Sequence, residues 1–583
     1  MNLTYRLLEK KVIITVKNRM CETADEILSS ALFQAVLEQC VDHLKQKNSI
    51  LLGVMKDNRV TPENTATLMQ VLQFLLKMPI ELIPNLVKGS DYLLTNRQVL
   101  MDFVEYVYNF WRNFDRYVIC DSEGDVLDKR PYRTFNHTIE SLTHLIRQAY
   151  RDIEENISGC HPRIYRQVAA GAEISAIALP QPNHLDSPLY REIAKIPVIR
   201  QVLLYPPLVI NTRSNKRSGK FEAVEHNPLE RMTINKDEWL CYPAKVGSLV
   251  IHIYFHQCFF ELGFSLCNLF ELADNRDMEH KPDAIFFYGV QGDSLDHYDR
   301  FPTVFYEDRE QDMLVGAVPG RPEFAYFGYL KKMVLTLHNI RKMKSGVMPF
   351  HGALVKIILK GNREVVVLLM GDTGAGKSET LEAFRLLGES HIQDLVIIAD
   401  DMGSLQIDAK GNVIGYGTEI GAFLRLDDLQ SGFAFGQIDR TIIINPSQVN
   451  ARIILPVTSF ETLIRGHRVD YILYANNYED IDEDHPIVQQ FGSPEQAIGV
   501  FRDGAVMSKG TTTLTGLVHT YFANIFGPVQ YRGIHDELAA RYFRQFFESG
   551  IYVGQLRTRL GVPGYESRGP EEAASALIRL FEN

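Results

Sequence analysis

Missing from this chain are an excess of basic charge, paired cysteines, a long apolar run and any internal repeat. Lys and Arg number 61 against 72 Asp and Glu, a formal net charge of −11, and no dense Lys/Arg run breaks that balance. Such a surface has no electrostatic footprint for nucleic acid, which is excluded as an expected partner. The 7 cysteines, Cys21, Cys40, Cys120, Cys160, Cys241, Cys258 and Cys267, all precede residue 270 and form no C-x-x-C pair. That spacing argues against a disulfide framework or a zinc site, and for reduced, buried thiols in a cytoplasm. The opening MNLTYRLLEKKVIITV has no long apolar stretch with a small-residue cleavage site, so no secretory signal is expected. The most membrane-like segment, Leu249 to Phe270, is interrupted by His252, His256, Gln257, Glu261 and Asn268, and reads as a core element rather than a span.

What is present is an ordinary globular composition, 45% hydrophobic and 23% charged, over 583 residues. That length is too great for one core and predicts several domains. Residues 1–185 read as a mostly helical domain of unknown role. Ala24 to Lys47 carries Ile27, Leu28, Leu32, Val36, Leu37, Val41 and Leu44 at helical spacing, and Thr61-Pro62 marks the start of a helix through about Leu76. Further helices are expected over Arg97 to Phe114 and Asn136 to Ile157. The looser ALPQPNHLDSP marks a boundary, after which residues 186–320 read as an α/β domain and 321–583 as a second one, with a mixed sheet.

The chemistry concentrates in VVVLLMGDTGAGKSETLEAFRLLGESHIQDLVIIADDMGS, residues 365–404. Val365 to Met370 predicts a buried strand and Thr380 to Leu387 a helix. Between them Gly371, Asp372, Thr373, Gly374, Ala375, Gly376, Lys377 and Ser378 fit G-x-x-x-x-G-K-[ST] in full, with Glu379 following. The glycines allow the tight path that turns successive N–H groups toward a phosphate, and the helix N-terminus adds partial positive charge. Lys377 is expected to neutralise β- and γ-phosphate charge and Ser378 to hold a divalent metal. A second strand, Leu395 to Ala399, delivers Asp400-Asp401, from which a carboxylate can meet that metal. Arg213, Lys216, Arg217 and Lys220 form a small basic run in a turn-rich segment.

Around this core, Tyr326-Phe-Gly-Tyr-Leu-Lys331-Lys332 and then Met348-Pro-Phe-His351-Gly-Ala precede the loop in the order Y-x-G-E-M-K-K, M-P-M-H-C-S-A, phosphate loop, D-D. This order resembles the ATP-dependent phosphoenolpyruvate carboxykinases, over roughly residues 200–583. The resemblance implies that Lys332, His351 and Asp401 hold a transition metal such as Mn²⁺, with Mg²⁺ at Ser378 and ATP in the loop. It extends to Asn450-Ala451-Arg452, where the arginine bridges γ-phosphate and substrate, and to Thr212-Arg213-Ser214, where the arginine binds the substrate carboxylate. Tyr326 is implied to orient that acid. The chain departs from the pattern at Tyr329, which stands for a glutamate, at Met402 to Leu405 after the aspartates, and at Met507-Ser508-Lys509-Gly510-Thr511 on the adenine side. The loop, its S-E-T continuation and A-D-D are equally similar to HPr kinase/phosphorylase, which acts on a protein serine.

The expected fold is therefore mixed α/β, with a phosphoenolpyruvate-carboxykinase-like nucleotide- and metal-binding domain at the C-terminus. The expected activity is conversion of oxaloacetate and ATP to phosphoenolpyruvate, CO₂ and ADP, with Lys332, Lys377, Arg452, Asp400, Arg213 and Tyr326 as catalytic residues. One alternative is a kinase for a protein serine or a small hydroxyl compound, with Asp400 or Asp401 as base. Another is a nucleotide-sensing regulator without turnover. The expected partners are a small dicarboxylate or another phosphoacceptor, and a protein docking on the helical N-terminal region. No membrane partner is expected, and the expected compartment is the cytoplasm.

Overall fold

The computed structural model describes residues 3–17, 20–121, 131–161, 168–180, 184–185, 187–298, 301–426, 438–509 and 515–582. The chain divides into two compact units, Met1–Leu179 with Ile199–Tyr205, and Pro180–Val198 with Pro206–Asn583. Both are mixed α/β. The segments expected as separate domains at 186–320 and 321–583 share the second unit. Among the described residues no helix is long and apolar enough to cross a membrane.

The first unit is less helical than its amphipathic segments suggest. Strands β1 (Leu3–Leu7), β2 (Lys11–Val16), β3 (Asp115–Cys120) and β4 (Ile174–Pro180) lie side by side, β1 antiparallel to β2 and the rest parallel. KVIITV and DRYVIC are short and rich in β-branched and aromatic residues, which suits a pleated, buried surface. The helix expected over 24–47 is two, α1 (Ala24–Leu28) and α2 (Ala31–Gln46), because Ser30 takes a non-helical conformation and its hydroxyl caps Phe33 N–H at 3.1 Å. Thr61 caps α3 (Pro62–Leu75) in the same way, with proline in the first turn. The two long helices α4 (Arg97–Arg112) and α5 (Pro131–Ser158) follow. Leu37, Val41, Leu72, Leu100, Phe103 and Ile153 join in one core.

In the second unit one sheet contains β5 (Phe221–Val224), β6 (Trp239–Val246), β7 (Leu249–His256), β8 (Ala284–Val290), β9 (Thr303–Asp308) and β10 (Met313–Pro319), in the spatial order β6-β7-β8-β10-β9-β5. The membrane-like segment is thus a strand followed by short helical turns. Helix α6 (Phe327–Lys344) is buried along nearly all its length and packs against β8 and β10. It also packs against a second sheet, whose long central strand is β11 (Met348–Leu359). One edge of β11 pairs with β12 (Glu364–Met370); the other pairs first with β14 (Met402–Ile407) and then with β13 (Ile392–Ala399). Beyond β12 lie β15 (Tyr471–Asn476) and β18 (Tyr552–Arg557), both parallel to it, and β16 (Ala505–Lys509) and β17 (Thr515–His519) form a separate hairpin. Helices α7 (Lys377–His391) and α8 (Arg568–Glu582) cover β12 through Leu381, Phe384, Leu577 and Phe581.

Two fully buried histidines make this unit acid-sensitive. Burial lowers the pKa of His338 to about 3 and that of His535 to about 4. Above the ordinary value near 6.5 both states of the chain are neutral at these rings and neither ring affects stability. Below it the unfolded chain takes up protons that the fold refuses, so stability falls as pH drops toward the folded values. At pH 5 each ring is expected to cost about 2 kcal/mol. Thermal unfolding followed from pH 7 to pH 5 should show a falling midpoint, and the slope should flatten when both rings are replaced by glutamine.

Candidate active site

The site is assembled around His351, where β11 exchanges one neighbour for another. Gly371 donates its N–H to the His351 carbonyl at 3.2 Å, and the next residue, Gly352, donates to the Asp401 carbonyl at 2.9 Å. Two adjacent residues of one strand thereby fix the start of the glycine loop and the aspartate pair, which lie far apart in sequence. A Cβ on Gly352 would stand 2.4 Å from the Leu369 carbonyl oxygen, so this close approach requires glycine. The His351 ring then has little freedom: Nδ1–H donates to the Ala523 carbonyl, and Nε2 faces Asp401 Oδ1 at 3.0 Å.

The loop between β12 and α7 is tight. Gly374 and Gly376 hold φ of 80° and 92°, a region that side-chain-bearing residues avoid. A Cβ at Gly376 would lie 2.5 Å from Thr558 Oγ1. The loop is clamped from β15 and β18: Asn477 donates to the Gly374 carbonyl at 2.8 Å and Thr558 to that of Ala375 at 2.7 Å. Asn477 also exchanges hydrogen bonds with the backbone of Met507, at 2.8 and 2.9 Å, linking the β16 strand to the loop. Asp372 accepts from Thr373 N–H at 2.7 Å. Lys377 is buried and its ammonium donates to the Gly371 and Asp372 carbonyls at 2.6 and 2.9 Å. Burial lowers its pKa, opposed by the charges of Asp401, Asp372, Glu379 and Asp400. Ser378 is exposed on the first helical turn, where the unpaired N–H groups of α7 begin. Gly510 and Thr511, expected on the adenine side, lie outside the described residues.

Lys331 and Lys332, consecutive on α6, have opposite environments. Lys331 is almost fully buried and meets Asp401 Oδ2 at 2.6 Å and Glu419 Oε1 at 3.0 Å. Burial pulls its pKa down, but the charges of Asp401 and Glu419 override that and leave the amine above the ordinary lysine value. Lys332 lies 4.5 Å over the Phe526 ring. Burial, seconded by the charge of Arg217, lowers its pKa to about 8. The carboxyls divide likewise. Lys331 and His351 hold Asp401 well below its usual range despite burial, whereas burial and the neighbouring Asp401 charge push Asp400 up to about 6. Burial raises Glu419 to about 7, and Thr418 donates to its other oxygen at 2.6 Å. Asp401 therefore keeps its charge, and Glu419 retains a proton into the neutral range.

Among the described residues no three His, Cys, Asp or Glu side chains form a metal-holding group. The donors at this site are mixed. Because His351 Nδ1 must donate to a carbonyl, the approach of Nε2 to a carboxylate oxygen calls for a proton or a cation between them. Lys332, beside the same Phe526 ring as His351, has an amine that loses its proton readily. Imidazole, carboxylate and neutral amine suit a Mn²⁺-like ion, so Lys332, His351 and Asp401 fit that group. Ser378 and the loop fit Mg²⁺ with a nucleotide.

Arg213 is exposed, and the guanidinium whose charge bears on Lys332 is that of Arg217. Arg217 lies 5.1 Å over Phe221 and 6.0 Å over Phe526. Tyr329 anchors the segment, its hydroxyl accepting from Ser218 N–H at 2.7 Å and donating to the Ser218 carbonyl at 3.1 Å. Arg452 stands 5.3 Å over Phe423, whose ring is 6.0 Å from the buried Tyr326 ring. The Tyr326 and Tyr329 hydroxyls in turn bear on Arg217. Both Arg217 and Arg452 have a buried Nε–H without an acceptor, and neither has an ion pair among the described residues.

Sequence reasoning missed Arg217, Lys331, Glu419, Asn477 and Thr558 as members of this site. Only Asn476-Asn477 carries a readable signal, as a polar pair at the C-terminal end of a buried strand beside the loop strand. No protein-family model matches the chain, and no curated protein matches it.

Lys331→Met removes the one cation shared by Asp401 and Glu419, and an unbalanced buried charge costs about 3–5 kcal/mol. Chemical denaturation should show that loss. Adding Asp401→Asn, which removes the carboxylate held ionised, should recover part of it; a double variant no more stable than the single one would contradict the Lys331–Asp401 pairing.

Proposed function

We propose that this chain is an ATP-dependent phosphotransferase of the phosphoenolpyruvate carboxykinase kind, converting oxaloacetate and ATP to phosphoenolpyruvate, CO₂ and ADP. The observation that carries this reading is the pair of guanidinium groups, Arg217 and Arg452, each with a buried, unpaired Nε–H, linked through Tyr326 and the Phe526 ring to Lys332. Half-buried guanidinium groups with a buried, unpaired N–H and no carboxylate partner among the described residues suit an anionic ligand. A small dicarboxylate and a γ-phosphate are two such anions, and planar guanidinium groups bind both in bidentate fashion.

In this scheme Arg217 holds a substrate carboxylate and Tyr326 orients the acid beside Lys332. Breaking the bond to the other carboxylate releases CO₂ and leaves an enolate, whose oxygen attacks the γ-phosphorus as the bond to the β-phosphate oxygen breaks. Lys377 spreads charge on the β- and γ-phosphates, and Arg452 meets the transferring group. Lys332, His351 and Asp401 would hold Mn²⁺ and Ser378 would hold Mg²⁺; when bound, these ions supply positive charge for the developing oxyanions. Positioning and charge dispersal are most of what a protein contributes to this step.

One observation favours a kinase for a protein serine or small hydroxyl compound, as in the resemblance to HPr kinase/phosphorylase. Asp400, near the Lys377 amine, has a carboxyl pushed up to about 6, suited to accept a hydroxyl proton near neutrality. Turnover with ATP, Mg²⁺ and Mn²⁺, measured with oxaloacetate and with a panel of alcohols and lysate proteins, separates the two readings.

Lys377→Ala should lower turnover by about two orders of magnitude or more while leaving the unfolding midpoint in place; parental turnover would remove the nucleotide assignment. Arg217→Ala should lower kcat/KM for oxaloacetate by the equivalent of about 2–5 kcal/mol with little effect on ATP binding. Arg213→Ala should change it by less than about 1 kcal/mol. The carboxykinase reading fails if oxaloacetate is not consumed while a hydroxyl acceptor is phosphorylated.

A further inference from the structure

The first unit, which the proposed chemistry does not use, encloses an apolar cavity of about 140 Å³. Its wall is built from β2, the loop before α1, and α1 to α5, through residues such as Ile14, Val36, Leu72, Val107, Ala149 and Ile153. The polar groups of the wall are largely occupied elsewhere. Trp111 donates its indole N–H to the Ala170 carbonyl at 2.6 Å, Ser30 caps α2, and Tyr150 donates to Glu105. The interior therefore offers almost nothing to a water molecule, which needs two to four polar partners, and a cavity of this kind stays dry or takes an apolar guest. Its size is close to the roughly 150 Å³ of a cavity that binds benzene, so it has room for about six carbon atoms. Ile27, Phe33 and Ile146 in the wall are only half-buried, so the space reaches the surface.

The edge of the cavity is charged asymmetrically. Tyr108 and Tyr150 stack in the wall, ring centroids 4.1 Å apart. Glu105 and Glu154 gather at the Tyr150 hydroxyl. At the Tyr108 hydroxyl, burial raises the pKa, and three cations, Arg112, Arg147 and Arg151, oppose that rise more strongly than Glu105 adds to it. Arg112 lies 5.9 Å over the Tyr108 ring and is tethered through Nε to the Ala169 carbonyl at 2.9 Å, and Arg147 is tethered to the Val168 carbonyl at 3.0 Å. Arg112 is thus held in place at Tyr108, a residue of the cavity wall, with Arg147 and Arg151 adding positive charge there.

We propose that this cavity binds the alkyl chain of a short amphiphilic anion, a carboxylate with a tail of about six to eight carbons, its head at Tyr108 among Arg112, Arg147 and Arg151. The tail supplies the affinity, at about 0.8 kcal/mol per buried methylene, and the arginines select an anionic head over a neutral one. This site is independent of the nucleotide chemistry proposed for the second unit.

Octanoate, 1-octanol and the tail-less acetate serve as probes, titrated into the full-length protein while the fluorescence of Trp111, in the cavity wall, is followed. Octanoate is expected to give a saturable change and acetate none, with octanol binding at least tenfold more weakly than the acid. Ala149→Leu, which fills the cavity, should abolish the octanoate response. Arg147→Gln with Arg151→Gln should weaken octanoate about tenfold while leaving octanol unchanged, a readout that holds even if the filled variant does not fold. Absence of saturable octanoate binding overturns the proposal, as does equal affinity for octanol and octanoate, or octanoate binding unaffected by the arginine substitutions.

Discussion

The second unit depends on one buried cation. Lys331, 2% exposed, sits between Asp401 at 2.6 Å and Glu419 at 3.0 Å. Removing the Lys331 and Asp401 charges from water carries a penalty of several kcal/mol per ion, recovered only if geometry and additional hydrogen bonds are good. Part of that support is present: Thr418 donates to the second Glu419 oxygen, and the Gly352 N–H fixes the Asp401 backbone. The arrangement confers specificity more than stability, because any shift of α6 against β11 would leave unpaired charge in an apolar interior.

That same pairing sets the character of Lys332. Lys331 takes the close contact with Asp401, while the next lysine on the helix lies over an aromatic ring, where burial and the Arg217 charge draw its amine toward neutrality against the opposing charges of Asp401 and Asp372. Two chemically identical residues, one step apart on a helix, thereby become a permanent cation and a ready donor. The carboxyls mirror this split, with Asp401 held ionised and Asp400 poised near neutrality. Neighbouring titratable groups pushed apart in pKa are what acid, base and ligand roles require.

The parts of this arrangement that were legible in the sequence are those with local signals. The strand before Gly371, the helix after it and the glycines between them follow from periodicity and turn chemistry within a dozen residues, and Thr61-Pro62 announces its helix just as locally. The strands of the first unit were hidden because each is about six residues long and lies between strongly amphipathic helices, so the helical period dominated the reading. The 24–47 helix broke at Ser30 because a serine in mid-helix and a serine at an N-cap look alike until a backbone angle separates them. At the site, Lys331 and Glu419 could not be paired from sequence, since 88 positions separate them and their partnership exists only through sheet register. Arg213 was preferred over Arg217 because motif spacing across an insertion carries no three-dimensional register.

Tyr329 is what positions Arg217. At the position where that pattern has a glutamate, this chain has Tyr329, whose hydroxyl both donates to and accepts from the Ser218 backbone. A carboxylate could accept from that N–H but could not donate to the carbonyl, so the phenol makes a two-point clamp that a glutamate cannot. The clamp fixes the residue immediately before it, Arg217, whose guanidinium reaches over Phe221 and Phe526 toward Lys332.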